Sequence, residues 1–307
     1  MQGNADAQFL LGIMYENGKG VKQDYQKAIE WFTKSALQGN ANAQFLLGIM
    51  YENGKGVKQD YQKAIEWFTK SALQGNADAQ FYLGDMYKSG QGVKQDYQKA
   101  IEWFTKSALQ GNAYAQFLLG IMYKNGQGVR QDYQKAIEWY TQSALQGNDL
   151  AQNNLGSMYK KGQGVKQDYK KAFEWYTKSA LQGNDLAQNN LGSMYKKGQG
   201  VKQDYKKAFE WYTKSALQGN ANAQFYLGDM YKSGQGVKQD YKKAFEWYTR
   251  SALQGHLGAQ FLLGCIYENG LGVRQDLKKA KEYYGLVCDS GWQEGCDLYK
   301  KLNEKGI

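Results

Sequence analysis

A serine and a lysine stand three residues apart at two places in this 307-residue chain. Ser157 precedes Lys160 and Ser193 precedes Lys196, so both pairs match S-x-x-K. In β-lactamases and penicillin-binding proteins, the lysine of this motif helps to activate a nucleophilic serine. The accessory motifs S-D-N and K-T-G are absent here, and four-residue matches arise easily by chance in a lysine-rich repeat. The sequence therefore favours a non-catalytic protein, and a serine-dependent, β-lactamase-like hydrolase of the cell envelope is the alternative.

The remaining candidate groups for chemistry are few. His256 is the only histidine, and it replaces an asparagine that begins a helix in the other repeats, so it is expected to be a helix cap. One histidine and three scattered cysteines do not make a zinc site. The G-x-G-V segments lack the lysine and the preceding strand of a phosphate-binding loop. The sequence therefore predicts no metal, no cofactor and no enzymatic activity.

These residues all belong to a repeat of 36 residues. Glycines recur at that spacing from Gly3 through Gly39 and Gly75 to Gly291. Fixed self-similarity at this period predicts a stacked array of structural units. Length alone would suggest about two domains, but the repeat favours one continuous solenoid over residues 1–291, followed by a capping helix over residues 292–307.

One repeat contains the signals for two helices of about 13 residues. Asn4 and Asp24 are expected to cap their N-termini, and Gly18 to end the first helix. Gly12 lies within the first helix at a cost of roughly 1 kcal/mol relative to alanine, which suggests a neighbouring backbone close to it. The second helix carries an apolar face that ends at Leu37. The prediction is an all-α fold, an α/α superhelical solenoid of eight helix-turn-helix repeats plus the C-terminal capping helix.

The eight repeats differ mainly on one stripe of the first helix. In arrays of helix pairs, first helices usually line the concave wall, so these side chains are predicted to form a groove that binds a peptide or a partner protein. The predicted binding residues are Phe9, Leu10, Ile13, Phe45, Leu46, Ile49, Phe81, Tyr82, Asp85, Phe117, Leu118, Ile121, Asn153, Asn154, Ser157, Asn189, Asn190, Ser193, Phe225, Tyr226 and Asp229. Asparagine amides can bond both polar groups of a peptide backbone, and aromatic rings supply contact area. Drift at permissive positions, with Phe and Leu partly filling the core, remains the alternative.

The repeat pattern A-x-A-Q-x-x-L-G-x-M-Y-x-x-G-x-G-V-x-x-D-x-x-K-A-x-x-W closely resembles the Sel-one-like repeat family, the longer relatives of tetratricopeptide repeats. The resemblance covers essentially the whole chain and departs at Tyr283, which replaces the tryptophan of the last repeat. It implies an α/α superhelix that serves as a scaffold or adaptor in protein–protein contacts, common in bacterial envelopes and secreted factors.

Cys288 and Cys296 resemble the cysteine pairs of the cysteine-rich bacterial branch of that family. The resemblance implies a disulfide between them, whereas Cys265 has no partner and is expected to be a free thiol. A lasting disulfide points to the periplasm or the exterior of the cell. Two reduced thiols in a cytoplasmic protein remain the alternative.

Lysine and arginine exceed aspartate and glutamate by 39 − 29 = 10. Lysine doublets such as Lys170-Lys171 are expected on the outer face of second helices, so a protein partner is favoured, and a basic adaptor for nucleic acid or a membrane surface is a further alternative. No apolar run is long enough for a transmembrane helix. Because the chain begins between two helices, we expect it to be the C-terminal portion of a longer precursor, for which a signal peptide is one option.

Overall fold

The computed structural model describes residues 3–307, and that part of the chain contains seventeen α-helices and no strand. The helices are α1 Ala5–Asn17, α2 Tyr25–Leu37, α3 Ala41–Asn53, α4 Tyr61–Leu73, α5 Ala77–Ser89, α6 Tyr97–Leu109, α7 Ala113–Asn125, α8 Tyr133–Leu145, α9 Asp149–Lys161, α10 Tyr169–Leu181, α11 Asp185–Lys197, α12 Tyr205–Leu217, α13 Ala221–Ser233, α14 Tyr241–Leu253, α15 Leu257–Asn269, α16 Leu277–Asp289 and α17 Gln293–Glu304. Each repeat supplies an odd-numbered first helix and an even-numbered second helix. The predicted all-α solenoid of eight helix pairs is confirmed.

The helix ends are set by the residues that the sequence indicated. The Asn4 carboxamide oxygen accepts from the backbone N–H groups of Asp6 and Ala7, at 2.8 and 3.0 Å. Asp24 caps α2 in the same way, and Gly18 ends α1 in a left-handed conformation with φ of 68°. His256 Nδ1 accepts from the Ala259 N–H at 3.1 Å, so the prediction that His256 is a helix cap is confirmed.

The apolar core lies between successive repeats. In the first of these clusters, Phe32 of α2 packs with Leu47 and Met50 of α3, and all three side chains are fully buried. Equivalent clusters recur along the chain, and the last one joins Tyr284 of α16 to Leu302 of α17. A single repeat therefore leaves an apolar face uncovered until the next helix packs on it.

Buried polar side chains connect the helices at fixed places. The Ser35 hydroxyl of α2 donates to the Ala5 carbonyl of α1 at 2.7 Å. Gln44 of α3 donates to the Ala36 carbonyl at the end of α2, at 3.0 Å. Gln44 thus donates to a carbonyl in the last turn of α2, and Ser35 gives its buried hydroxyl an acceptor in α1. Both side chains are buried and need a partner, which explains why Ser and Gln recur at these positions.

Two expectations about the repeat are wrong in detail. The close neighbour of Gly12 is not a backbone but the ring of Phe32, which would lie 2.4 Å from an added Cβ. Leu37 does not belong to the buried face, because its side chain is 73% exposed, and its counterparts through Leu253 are exposed to a similar degree. The second helix turns this last residue away from both neighbouring helices, so nothing covers it.

The chain comprises two compact units, one that ends at Ala151 and one from Gln152 to Ile307. The N-terminal unit contains α1–α8 and the first turn of α9, and the C-terminal unit contains the rest of α9 and α10–α17. A single continuous array over residues 1–291 stays a prediction.

Residues 292–307 contain α17, which packs against α16. Helical spacing predicts that Tyr299 faces inward together with Leu302, but this prediction is wrong for Tyr299, which is 38% exposed. Leu302 and Gly295 are the buried residues of this helix. Cys288 at the end of α16 and Cys296 in α17 form the disulfide that the family resemblance implied, and Cys265 is a free thiol.

The contact between Gly48 and the Phe68 ring predicts a large effect of one methyl group. An added Cβ would lie 2.4 Å from the ring, so Gly48→Ala is expected to lower the free energy of unfolding by about 1–3 kcal/mol. Gly285→Ala is the matched control, since its Cβ would meet Tyr299 at an ordinary 3.4 Å. That variant should be neutral or gain up to about 1 kcal/mol of helix propensity. Chemical denaturation measures both, and equal effects of the two substitutions would contradict the ring contact.

The disulfide is expected to stabilise the C-terminal helix. Closing a loop this short stabilises by about 2–3 kcal/mol, so a Cys288→Ser, Cys296→Ser double variant should lose amide hydrogen-exchange protection in α17. Protection in α5 should be unchanged and serves as the internal control. In the unaltered protein, alkylation under non-reducing denaturation should label Cys265 alone, and labelling of all three cysteines would show that the bridge does not form.

Candidate interaction surface on the first helices

Within each of the two units, the variable positions of the odd-numbered helices form a surface that we call the first-helix wall of that unit. It consists of the predicted binding residues named above and of one further residue in each of the same seven repeats. That residue lies three positions after the last binding residue of its repeat, as Glu16 does after Ile13. Most of these side chains are half-buried, with Leu10 at 59% exposure and Phe117 at 9% as the extremes. The wall is therefore a surface whose side chains also contact the core beneath it.

Aromatic side chains dominate the wall of the N-terminal unit. The Phe45 ring packs against Phe68 with centroids 6.0 Å apart, and Tyr82 of the next repeat stacks on Phe68 at 5.4 Å. Tyr82 also contacts Phe81 edge-on at 5.5 Å. These predicted site residues therefore contribute to the packing between repeats, and their part in binding stays a prediction.

Carboxylates accompany these rings. Burial, and then the charge of Asp85, raise the pKa of Glu52 above its usual value. Burial also raises the pKa of Glu16, against the opposing effect of Lys55. Asp85 itself forms an ion pair with Lys88 at 3.5 Å. The N-terminal unit thus presents half-buried acidic groups on its wall.

Amide side chains replace the rings in the fifth and sixth repeats, on α9 and α11, whereas Phe225 and Tyr226 of α13 keep them. Asn190 of α11 donates to the Asn153 carboxamide oxygen of α9 at 3.2 Å, so the structure brings the two predicted asparagine pairs together. The Asn189 carboxamide oxygen is buried and has no hydrogen-bond partner among the described residues. This oxygen is enclosed by the chain, so the accessible polar groups of this stretch are those of the other asparagine side chains.

Ser157 and Ser193 of the S-x-x-K matches lie next to tyrosine hydroxyls. Ser157 is close enough to Tyr176 to lower its pKa by hydrogen bonding, against the larger effect of burial, which raises this pKa to about 12. Ser193 has the same relation to Tyr212. The serines thus have a structural role beside the rings of the second helices.

These tyrosines were missed by the sequence reasoning, although a signal existed. The residue at the position of Phe32 is Phe in the first three repeats and Tyr in the last five. The Tyr248 hydroxyl donates to Asp229 at 2.7 Å, and the Tyr284 hydroxyl donates to Glu268 at 2.7 Å. Polar wall residues in the C-terminal unit are therefore matched to tyrosines below them.

Lysines on the outer face of second helices lie over aromatic rings. Lys34 Nζ is 4.2 Å from the centre of the Trp31 ring, and Lys171 Nζ is 5.3 Å from that of Tyr159. The same contacts recur in most repeats, and an exposed contact of this kind contributes about 0.5–1 kcal/mol. These lysines thus stabilise the repeat.

Within the described residues, the structure contains neither a candidate metal site nor a helix that could span a membrane. Within residues 3–307, no group of three or more His, Cys, Asp or Glu side chains could hold a metal ion. None of the seventeen helices is long and apolar enough to cross a membrane.

The fold and its period define an all-α solenoid built from helix pairs. A profile of the Sel1 repeat matches residues 5–40, 41–76, 77–112, 113–148, 149–184, 185–220, 221–256 and 258–292. The chain belongs to the Sel1 repeat family, as the sequence pattern predicted. Sel1-repeat proteins are in general non-catalytic scaffolds for protein interactions, which supports the prediction that this chain is not an enzyme.

Two solved structures are similar over nearly the whole chain. One is a protective antigen of uropathogenic Escherichia coli with the SLR fold, at 39% identity and a TM-score of 0.91, and it covers 99% of this chain. The chain spans 65% of that protein's length. The other is a Sel1 repeat protein from Oxalobacter formigenes, at 33% identity and a TM-score of 0.76, with 98% of this chain and 88% of that chain covered. No curated protein sequence matches this chain.

Two buried tyrosines give a prediction and its control, because the hydroxyl of Tyr248 has a hydrogen-bond partner and that of Tyr140 has none among the described residues. Tyr248→Phe removes the donor to Asp229, so it is expected to lower the free energy of unfolding by about 1–3 kcal/mol. Tyr140 is fully buried, and its hydroxyl has no partner among the described residues, so Tyr140→Phe should leave stability unchanged or raise it. Denaturation of the two variants distinguishes these effects, and a larger loss for Tyr140→Phe would contradict the assignment.

Proposed function

We propose that this protein is a non-catalytic adaptor that binds an extended peptide, or an extended segment of a partner protein, along the concave side formed by its first helices. The residues that would contact the partner are those of the first-helix wall in each unit. The observation that carries the proposal is that the core positions of the repeat stay constant while the wall positions vary. Core positions such as Ala28 and Gly12 are the same in every repeat, whereas the wall changes from aromatic to amide to acidic side chains.

The amide block supports an extended partner. The half-buried side chains of Asn153 and Asn190 contact each other at 3.2 Å on the wall. A peptide backbone presents N–H and C=O groups in alternation, so it can satisfy such amides without a particular sequence. The half-buried rings of the N-terminal unit supply contact area whose ordering costs little entropy, because the core already holds them.

A periplasmic or secreted location accompanies the proposal. The disulfide between Cys288 and Cys296 favours an oxidising compartment. The E. coli relative is a protective antigen, and an antigen must be accessible to the immune system. A cytoplasmic location is the competing interpretation, in which both cysteines would be reduced.

Selection from a random peptide library tests the function. Peptides retained by the unaltered protein are measured against a variant in which Asn153, Asn154, Asn189 and Asn190 are alanine. We expect the affinity to fall about tenfold or more, since several amides at the centre of the contact are removed.

The matched control replaces three exposed amides on second helices, Gln26, Gln98 and Gln134, by alanine. Far-ultraviolet circular dichroism checks that both variants keep their helices. Equal retention of the selected peptides by the unaltered protein and both variants would contradict the proposed groove.

A further inference from the structure

Three lysines occupy one position of the repeat in the C-terminal unit. They are Lys160 on α9, Lys196 on α11 and Lys232 on α13, and each is half-buried on the first-helix wall. The same position holds Glu16 and Glu52 in the first two repeats, Lys88 and Lys124 in the next two, and Glu268 on α15 in the last. The wall of the C-terminal unit therefore carries a row of positive charge in successive repeats, which we call the lysine row.

Two members of the lysine row, Lys160 and Lys196, lie close to other lysines or to an aromatic ring. Burial, and then the charges of Lys197 and Lys161, lower the pKa of Lys160. Lys196 Nζ lies 5.4 Å from the centre of the Tyr226 ring of the next repeat. At Lys160, partial burial and nearby cations both disfavour the ammonium form, so a negative charge brought beside it would relieve an unfavourable interaction.

The acids of this wall do not neutralise the row. Within residues 3–307, the ion pairs are Lys27–Asp24, Lys88–Asp85 and Lys300–Glu304, and none includes a member of the lysine row. Asp229 and Glu268, the carboxylates on the same wall, accept instead from tyrosine hydroxyls at 2.7 Å. The row is therefore available to carboxylates from outside the chain.

We propose that the lysine row selects an acidic peptide, whose Asp or Glu side chains pair with Lys160, Lys196 and Lys232 while its backbone contacts the asparagine amides beside them. This inference rests on the proposed groove and names the class of peptide that the C-terminal unit binds. Neighbouring asparagines of α9 and α11 contact each other, so one extended chain can reach the amides and the lysines of both repeats. Partial burial strengthens each charge pair relative to one in open water.

The aromatic rings around the row favour a peptide over a nucleic acid. Single-stranded nucleic acid is held by bases that stack on free aromatic faces. Here the Tyr226 ring packs at a tilt against Tyr212, with centroids 5.1 Å apart, and lies beneath Lys196. Tyr195 packs edge-on against Phe173 at 5.3 Å. These rings are already engaged within the chain, so the row offers charge without stacking platforms.

The test uses fluorescent peptides of about 12 residues, a length that spans roughly 40 Å when extended. One peptide alternates Glu with Ser, and its control alternates Gln with Ser. Their affinities are measured for the full chain, for a Lys160→Gln, Lys196→Gln, Lys232→Gln variant, and for a Lys170→Gln, Lys206→Gln, Lys242→Gln variant. The second triple variant loses the same charge from exposed positions on second helices, so it controls for the long-range field.

We expect the Glu peptide to bind the unaltered protein and to lose about tenfold or more in affinity with the wall variant, but no more than about twofold with the outer variant. Equal losses in the two triple variants would overturn the proposal, because they would assign binding to net charge alone. Equal binding of the Gln peptide would overturn the preference for acid and leave the proposed groove intact.

Oligothymidylate serves as the competing ligand. Tighter binding of oligothymidylate than of the Glu peptide, with the same dependence on the lysine row, would overturn the proposal in favour of nucleic acid. If the asparagine-dependent peptides from the library bind but the Glu peptide does not, the acidic specificity fails while the proposed function stands. If no peptide of either kind binds, both fail.

Discussion

The structure depends on one contact that every repeat makes, in which the aromatic ring of the second helix lies flat on the glycine of the first. The ring of Phe32 fills the space that a side chain at Gly12 would take, and it then packs against Leu47 and Met50 of the next repeat. Three helices are joined by one ring. A glycine within a helix is unfavourable by itself, and the burial of a whole aromatic side chain offsets that cost.

Because this contact is the same from repeat to repeat, sequence change is tolerated only away from it. The first-helix wall is that place, and even there the choice is limited by what lies beneath. Where the ring is Tyr248, the wall residue is Asp229, which accepts from its hydroxyl. Where the ring is Phe68, the wall residue is Ile49, which needs no donor. The match is not general, because Asp85 occurs in the repeat whose ring is Phe104, and Ile121 occurs in the repeat of Tyr140.

The walls of the two units differ in the partners of their charged side chains. In the N-terminal unit, half-buried carboxylates such as Glu52 stand among phenylalanines, and Lys88 is paired with Asp85. In the C-terminal unit, tyrosine hydroxyls bind the carboxylates of Asp229 and Glu268, and the lysine row is left without an acid. A scaffold built from nearly identical repeats can therefore present distinct surfaces to distinct segments of a partner.

The sequence by itself determined the period, the thirteen-residue helices, their caps and the all-α class, because these depend on local preferences that recur in every copy. It also identified His256 as a cap, since capping is a property of adjacent residues. The tertiary structure decided which groups meet across helices. It placed a ring rather than a backbone against Gly12, left Leu37 in solvent, and matched tyrosine hydroxyls to wall carboxylates. Periodicity assigns a residue to a face of its helix, but only the packing of neighbouring helices determines what that face contacts.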